Sequence, residues 1–383
     1  MSKKHILMVV HSYYLDDTRV RREAEALIHA GFLVDVICLN EGDEAGFEEY
    51  NGVRIHRCNI GRSTKRTKVS YISEYVSFFF KSFFKSTKLS FKVKYDVFFA
   101  HNMPNFLIFT GILAKIRGAK LILDMHDSMP ELYENLFGLQ EGPLLKLLRF
   151  EERISVKFSS RCMTANLPIA DILEERNKAK FFVTHNTPDL SVLSFSERTN
   201  STNDKFKLFH HGNIHQRYGL DRILPVLQTL NDEEMIYQLE VHGRGPWYDT
   251  VRNIAQNISV NEHCNFYPGF KPQDIASYLA KADLGLVLNH KNDLTDLLLP
   301  VKMLEYISCG IPVLCPRTKA IEHYFDDNSV YFFDSDAELA DLIDSIRLNP
   351  NEANKRAAKA FVIYQSIAWE QEKLNFVEFV KTI

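Results

Sequence analysis

Leu298-Leu299-Pro300-Val301-Lys302-Met303-Leu304-Glu305-Tyr306-Ile307-Ser308-Cys309-Gly310-Ile311-Pro312-Val313 is the stretch on which the reading of this chain turns. Pro300 can open a helix, because it has no N–H to leave unpaired in the first turn. Gly310 stands where that helix would stop, and Ile311–Leu314 begins a strand. The start of such a helix presents free N–H groups and positive potential, which suit a diphosphate. Lys302 adds a formal charge there. Glu305, one turn on, shares a face with Val301 and Lys302. A carboxylate at that place can accept hydrogen bonds from two vicinal ribose hydroxyls. On spacing alone, a surface helix with an ordinary Lys/Glu pair reads equally well.

The same helix-then-strand rhythm runs outward in both directions. Strands are expected at Ile6–Val10, Val34–Leu39, Val53–Arg57, Val97–Ala100, Leu121–Asp124, Cys162–Thr164 and Phe181–Val183. After a break they resume at Phe206–His210, Gln238–His242, His263–Tyr267, Leu284–Leu288, Pro312–Leu314 and Val330–Phe333. Amphipathic helical patterns lie between, such as Asp17–Ala30 with Val20, Ala24, Leu27 and Ile28 on one face. Alternation of this kind specifies parallel sheets covered by helices on both faces. The break is the polar, Ser/Thr/Asn-rich stretch around His185–Asn203. The expected organisation is therefore a first α/β domain over residues 1–187, a linker over 188–204 and a second α/β domain over 205–365. A last helix over 366–383 is expected to pack back on the first domain. In doubly wound sheets ligands bind beyond the carboxyl ends of the strands, so a cleft between two such domains is the expected site.

The bulk numbers agree. A chain of 383 residues, 45% hydrophobic and 25% charged, is comfortable for two domains. A formal net charge of -3 excludes a molecule built as a whole to bind nucleic acid. Six cysteines without CxxC spacing signal neither a zinc site nor a redox motif, and a reduced, cytoplasmic protein is the expectation. The apolar run Ile6–Val10 is too short for a signal sequence, and no stretch reaches the roughly 20 apolar residues needed to span a bilayer.

One segment departs from the rest. Arg62–Tyr95 holds nine Lys/Arg and one Glu among many Phe and Tyr. A basic helix with an aromatic face suits an anionic membrane surface, at about 1 kcal/mol per basic residue. The competing reading is a long core helix with its Phe turned inward and its Lys solvated. Nucleic acid, the other partner of aromatics and cations, finds no support elsewhere in the chain.

Taken in order, these segments resemble family 4 of the retaining glycosyltransferases, which have the two-domain B-type fold (GT-B). VHSYYLDDTRVRREAEALIHAGFLVDVICL resembles the family's opening strand, loop, helix and strand, and LILDMHD its strand-end histidine segment. HHGNIHQRYGLDRIL resembles the glycine turn that opens the second domain, and PVKMLEYISCGIPV the donor-binding helix. The resemblance covers nearly the whole chain. It implies an α/β, GT-B architecture with two Rossmann-like doubly wound domains facing across a cleft. It also implies transfer from a UDP- or GDP-sugar with retention, with no required metal or other cofactor.

Residue by residue, the resemblance places Glu305 on the ribose, with Gly212, Asn213, Pro300 and Val301 around the nucleotide. Lys302, Arg244 and Arg217 are the cations available for the diphosphate. His126, at a strand end, lies near the donor sugar. Read without the family, a lone His between Asp124 and Asp127 is more often structural. Asp127 and Glu131 are nearby acids, and Asp16, Asp17, Arg19 and Glu23 read either as contacts or as a helix cap and an i,i+4 pair. The family's second Glu falls on Leu297 here, with Asp296 and Asp293 as nearby carboxylates. Its usual Arg and Lys beside the turn fall on Asn213 and Tyr218.

The expected activity is hexosyl transfer to a glycan or polyprenyl-linked acceptor in surface or capsular polysaccharide assembly. The expected place is the cytoplasm, peripherally on the inner membrane face. A sugar-nucleotide epimerase of the same fold and a non-catalytic scaffold remain the alternatives.

Overall fold

The computed structural model describes residues 3–42, 44–60, 68–138, 141–188, 193–196, 205–231, 236–271 and 274–383, without the side chains of 68–71, 136 and 137. The chain divides into two compact units, Met1–Asn186 with Glu372–Ile383, and Thr187–Gln371.

The first unit runs β1 (His5–Val10), α1 (Thr18–His29), β2 (Leu33–Leu39), β3 (Phe47–Tyr50), β4 (Val53–Cys58), α2 (Lys68–Lys92), β5 (Val97–His101), α3 (Ile112–Ile116) and β6 (Lys120–Met125). It continues with α4 (Met129–Phe137), α5 (Pro143–Phe158), β7 (Arg161–Thr164), α6 (Leu167–Asn177) and β8 (Phe181–Val183). The sheet order is β3-β4-β2-β1-β5-β6-β7-β8. All neighbours are parallel except β3, which pairs antiparallel with β4. Ile6–Val10 are all buried, as strands covered on both faces require. Right-handed crossovers put α2, α3, α5 and α6 on one face and α1 on the other. The strand order reverses between β1 and β5, so their carboxyl ends mark the place where a ligand fits.

β3 is absent from the alternation read in the sequence. It is an edge strand with no buried residue, so it carries no apolar pattern. The signal that was available is Asn51-Gly52, with φ of 49° and 81°, a two-residue hairpin turn.

The second unit runs β9 (Phe206–Asn213), α7 (Ile223–Asn231), β10 (Tyr237–Arg244), α8 (Tyr248–Asn257), β11 (Cys264–Tyr267), α9 (Ile275–Leu279), β12 (Leu284–Leu286) and α10 (Val301–Ser308). Then come β13 (Val313–Pro316), α11 (Lys319–Tyr324), β14 (Tyr331–Phe333), α12 (Leu339–Leu348), α13 (Pro350–Ile367) and α14 (Trp369–Lys381), whose residues from Glu372 on belong to the first unit. The all-parallel sheet has the order β11-β10-β9-β12-β13-β14. Alternate residues of β9 feed two cores: Leu208 packs with Leu239, Leu284 and Leu314, and Phe209 with Met303, Tyr306 and Val313. The order reverses between β9 and β12. That reversal brings the glycine turn after β9 and the segment leading from β12 into α10 to one end of the sheet.

The stretch expected as a linker is only partly described, since 189–192 and 197–204 lie outside the described residues. Leu193 is buried in the second unit's core and Phe195 stacks on Phe361 at 4.5 Å. This part of the stretch is therefore packed rather than a free tether. In α14, Phe379 stacks on Phe182 at 4.3 Å and Glu372 accepts the His185 backbone N–H at 2.7 Å. All six cysteines are buried and none forms a disulfide. Among the described residues, no helix is long and apolar enough to cross a membrane.

Candidate functional site

In the second unit the site is built at the strand-order reversal. β9 runs straight into Gly212, whose φ of +101° only glycine adopts without strain. Opposite it in the ladder stands Gly243. A Cβ there would collide with the Gly212 carbonyl oxygen, so the two backbones meet at a distance no other residue permits. Asn213 and Arg244 face each other one step on, both exposed. Arg244 therefore stands at the rim of the turn, without an ion-pair partner among the described residues.

Below the rim lies a denser group of cations. The Arg217 guanidinium sits 5.0 Å from the centre of the Tyr218 ring, and its Nη2 reaches the Tyr218 hydroxyl at 3.3 Å. Its Nε and Nη1 are buried and meet no acceptor among the described residues. Lys302 Nζ lies 5.1 Å from the same ring and 3.3 Å from His210 Nε2. His210, buried and facing Lys302 and His211, is held well below the ordinary histidine range. It stays neutral and can only accept from Lys302. Burial lowers Lys302 itself to about 8. The Lys302 side chain also runs over the turn, with its Cε 3.9 Å from where a Cβ on Gly212 would lie.

Glu305, one turn along α10, is pushed up to about 7 by burial, against the pull of Lys302. Its Oε2 lies 3.3 Å from His211 Nε2, off the line of a hydrogen bond. Burial and the charges of Lys302 and His242 lower His211 to about 3, so this imidazole is neutral and does not compensate the carboxylate. Pro300 is the N-cap of α10, with extended backbone (φ -69°, ψ 125°), so Val301 is the first helical residue. Gly310, at φ +73°, follows the helix end.

Of the two carboxylates near Leu297, Asp296 is engaged elsewhere. Asp296 Oδ1 accepts the Lys319 backbone N–H at 2.9 Å at the start of α11, and its carboxylate lies 3.4 and 3.8 Å from the Lys319 and Lys291 ammonium groups. Asp293 is exposed, and Leu297 is buried.

In the first unit, His126 follows β6. Its Nε2 donates to Asp124 Oδ2 at 2.7 Å and its backbone N–H to Asn102 at 2.7 Å. The sequence reading missed what holds it. Asp124, at 0% exposure, also takes Arg19 Nη2 at 2.9 Å and His101 Nδ1 at 3.0 Å. Arg19 Nε lies 3.4 Å from Glu23 and its Nη1 donates to the Thr184 carbonyl at 3.0 Å. Burial works against the charge on Asp124, but Arg19 and the two histidines hold its carboxyl well below the usual range. Burial likewise opposes charge on His126, and Asp124 more than offsets it, raising His126 above the ordinary value. The result is an imidazole fixed as a donor on the wall of a pocket of about 370 Å³, which His11, Ser12, Asp16, Arg19 and Asn186 help to line. The ligand atoms of His101, Asp124 and His126 lie within 4.8 Å of one another, but the Arg19 guanidinium already balances their carboxylate.

Asp17 is the N-cap of α1, accepting from Val20 N at 3.1 Å and from Ser12 Oγ at 2.7 Å. Glu131 pairs with Arg176 at 2.9 Å. Both hold local structure, and Asp17 also lines the pocket beside His126. The available sequence signal for the network was the pair of polar strand ends, FFAHN and LILDMHD, since such ends gather at one edge of a parallel sheet.

Comparison with known proteins agrees with this architecture. Residues 17–186 match the Glycosyl transferase 4-like domain, and residues 193–361 match Glycosyl transferases group 1. A curated relative, chitobiosyldiphosphodolichol beta-mannosyltransferase of Candida albicans, is 23% identical over 227 residues, 54% of this chain and 48% of that protein. The match thus spans about half the length of that relative. Among solved structures, sucrose-phosphate synthase from Thermosynechococcus elongatus superposes with a TM-score of 0.80 at 14% identity, covering 99% of each chain. HepE of Anabaena, solved in complex with UDP, superposes with a TM-score of 0.73 at 12% identity, covering 99% of this chain and 100% of that one. With two parallel-sheet α/β domains and both domain signatures in order, this chain belongs to the glycosyl transferases group 1 family and has the GT-B fold.

Proposed function

We propose that this protein transfers a sugar, with retention, from a UDP- or GDP-sugar to a glycan or polyprenyl-linked acceptor in surface polysaccharide assembly. The observation that carries the reading is the positive charge at the glycine turn, which Glu305 offsets only in part. Lys302 and Arg217 are drawn out of water around one tyrosine ring, and the buried Nε and Nη1 of Arg217 meet no acceptor among the described residues. Buried cations without anions are costly, and a diphosphate beside the first turn of α10 would satisfy them. Glu305, once ionised, accepts the ribose hydroxyls. Arg244 meets the outer phosphate from the rim.

In the reaction the bond from the anomeric carbon to the diphosphate oxygen breaks, and a bond from that carbon to the acceptor oxygen forms on the same face. The acceptor proton passes to the departing diphosphate. Lys302, Arg217 and Arg244 stabilise the charge that develops on it, and no protein nucleophile is required. Asp124 favours the charged form of His126, which offers a donor to a sugar hydroxyl from the wall of the first unit's pocket.

The Candida relative's name specifies a diphosphodolichol glycan, which supports a lipid-linked acceptor and work at the inner membrane face. The basic, aromatic segment Arg62–Tyr95 would meet that membrane. Residues 62–67 lie outside the described residues. In α2, Phe78 is buried while Phe80, Phe84 and Phe91 point to solvent, which supports a core face on one side and leaves an aromatic face for the membrane on the other.

A thermal-shift screen of nucleotides and nucleotide sugars tests the reading. A ligand at 100 times its Kd adds about 2.7 kcal/mol of stability. A nucleoside diphosphate and one of its sugars should stand out, and NMR of the product should show the anomer retained. No shift with any nucleotide would leave the scaffold reading in its place.

A further inference from the structure

We propose that helix α5, together with α3, is a second lipid-facing element, and that with α2 it seats the first unit on an anionic bilayer. The membrane role of α2 belongs to the reading above; the role of α5 rests on its own geometry.

α5 carries a second apolar stripe besides the one that packs on the core through Leu145 and Val156. Leu144, Leu147, Phe150 and Ile154 recur at helical spacing and form one stripe, the kind a soluble helix buries. Here the stripe faces solvent, with Leu147 and Phe150 each 58% exposed. The inward face holds Leu145 and Val156, and the acids of the helix lie toward it rather than toward solvent. Glu152 is fully buried, with Asn177 donating to it at 2.8 Å. Glu151 accepts from Asn105 at 3.1 Å and from Ser155 at 3.0 Å. The charges left outside are cations: Lys146, Arg153 and Lys157. Arg149 pairs with Glu141 ahead of the helix.

The patch continues across the same layer of helices. On α3, Ile116 is 76% exposed and Ile112 is exposed beside Lys115. Lys115 Nζ lies 3.9 Å over the Phe158 ring at the end of α5 and donates to its carbonyl at 2.6 Å. At the other end, partly buried Leu148 of α5 packs on the cluster that holds Tyr75 of α2. Exposed apolar side chains ringed by Lys and Arg match the acyl boundary of a bilayer with anionic headgroups, where long cationic chains reach up to phosphate. A second copy of this chain fits less well, because a two-fold contact would set one cationic stripe against another.

The test is sedimentation of the full-length protein with vesicles of phosphatidylcholine alone or with added phosphatidylglycerol, for wild type, Leu147→Glu, Phe150→Glu and Phe84→Glu. Wild type should bind the anionic vesicles. Each α5 variant should bind about tenfold or more weakly, as expected from losing one buried apolar side chain. The α5 variants should keep wild-type melting temperatures and nucleotide shifts, because Leu147 and Phe150 touch solvent. Wild-type protein that ignores anionic vesicles would overturn the proposal. So would α5 variants that bind like wild type while Phe84→Glu loses binding, a result that leaves the α2 reading standing. A wild-type dimer that the α5 substitutions dissociate would reassign the face to self-association. Loss of the nucleotide shift with vesicle binding intact would count against the donor reading alone.

Discussion

Replacing Lys302 with Met should make the protein more stable and worse at holding a nucleotide. Lys302 is held near 8 instead of the ordinary 10.5 because its ammonium is taken out of water. That difference, which already includes the favourable pull of Glu305, corresponds to about 3 kcal/mol of net penalty on the charged form. A lysine lowered in the folded state binds fewer protons than the unfolded chain between pH 8 and 10.5. Its cost is therefore full below pH 8 and fades as pH rises through that window. Lys302→Met removes the cost, and its melting temperature should exceed wild type below pH 8, with the gap closing toward pH 10.5. A bound diphosphate supplies the missing anion and recovers most of the penalty. The variant should therefore lose on the order of 100-fold in nucleoside diphosphate affinity by calorimetry. Wild type should take up a fraction of a proton on binding near pH 8, and the variant none. If Lys302→Met binds UDP and GDP within about threefold of wild type, or melts lower at pH 7, Lys302 is not the buried diphosphate cation argued here.

Glu305, raised to about 7, is a group whose folded form binds extra protons from its ordinary value up to pH 7. Stability falls across that window as the carboxylate is forced to ionise, and Glu305→Gln should abolish the fall. Ribose binding needs the ionised form, so nucleotide affinity of wild type should rise through pH 7 and decline above pH 8. Glu305→Gln should lose the rising limb and about tenfold or more in affinity. Asp124→Asn should cost about 3–5 kcal/mol in denaturant unfolding, since it removes the carboxylate that Arg19 hydrogen-bonds at 2.9 Å and leaves that buried cation only Glu23 at 3.4 Å. NMR titration of that variant should find His126 below its wild-type value; an unmoved His126 would mean that Asp124 does not set its charge. Gly212→Ala should cost about 1–3 kcal/mol from the positive φ alone, because its Cβ meets only Lys302 at 3.9 Å. Gly243→Ala should cost more, because it strikes backbone. Equal melting temperatures for the two would refute that ordering.

The strands of both sheets were legible because a parallel strand buried on both faces is a bare apolar run, as in Ile6–Val10 and Leu284–Leu286. β3 was not, because an exposed edge strand has nothing to bury. Glu305 and Lys302 could be placed on one helix face from spacing, yet nothing in PVKMLEY says that His210 and His211 stand behind them and stay neutral. Asp296 looked like a substitute for the carboxylate missing at Leu297. The structure commits it to the start of α11, a partner 23 residues away.

The sequence by itself determined the two α/β domains, the glycine turn, and a helix that carries a cation and a carboxylate on one face, because period and punctuation are local properties of a chain. Only the tertiary structure decided which of those groups leave water, and so which carry abnormal charge. It alone assembled Arg19, Glu23, His101, Asp124 and His126 from three separate elements. It alone showed that α5 leaves Leu144, Leu147, Phe150 and Ile154 in solvent while Leu145, Val156 and Glu152 turn inward, since periodicity does not say which apolar residues meet the core.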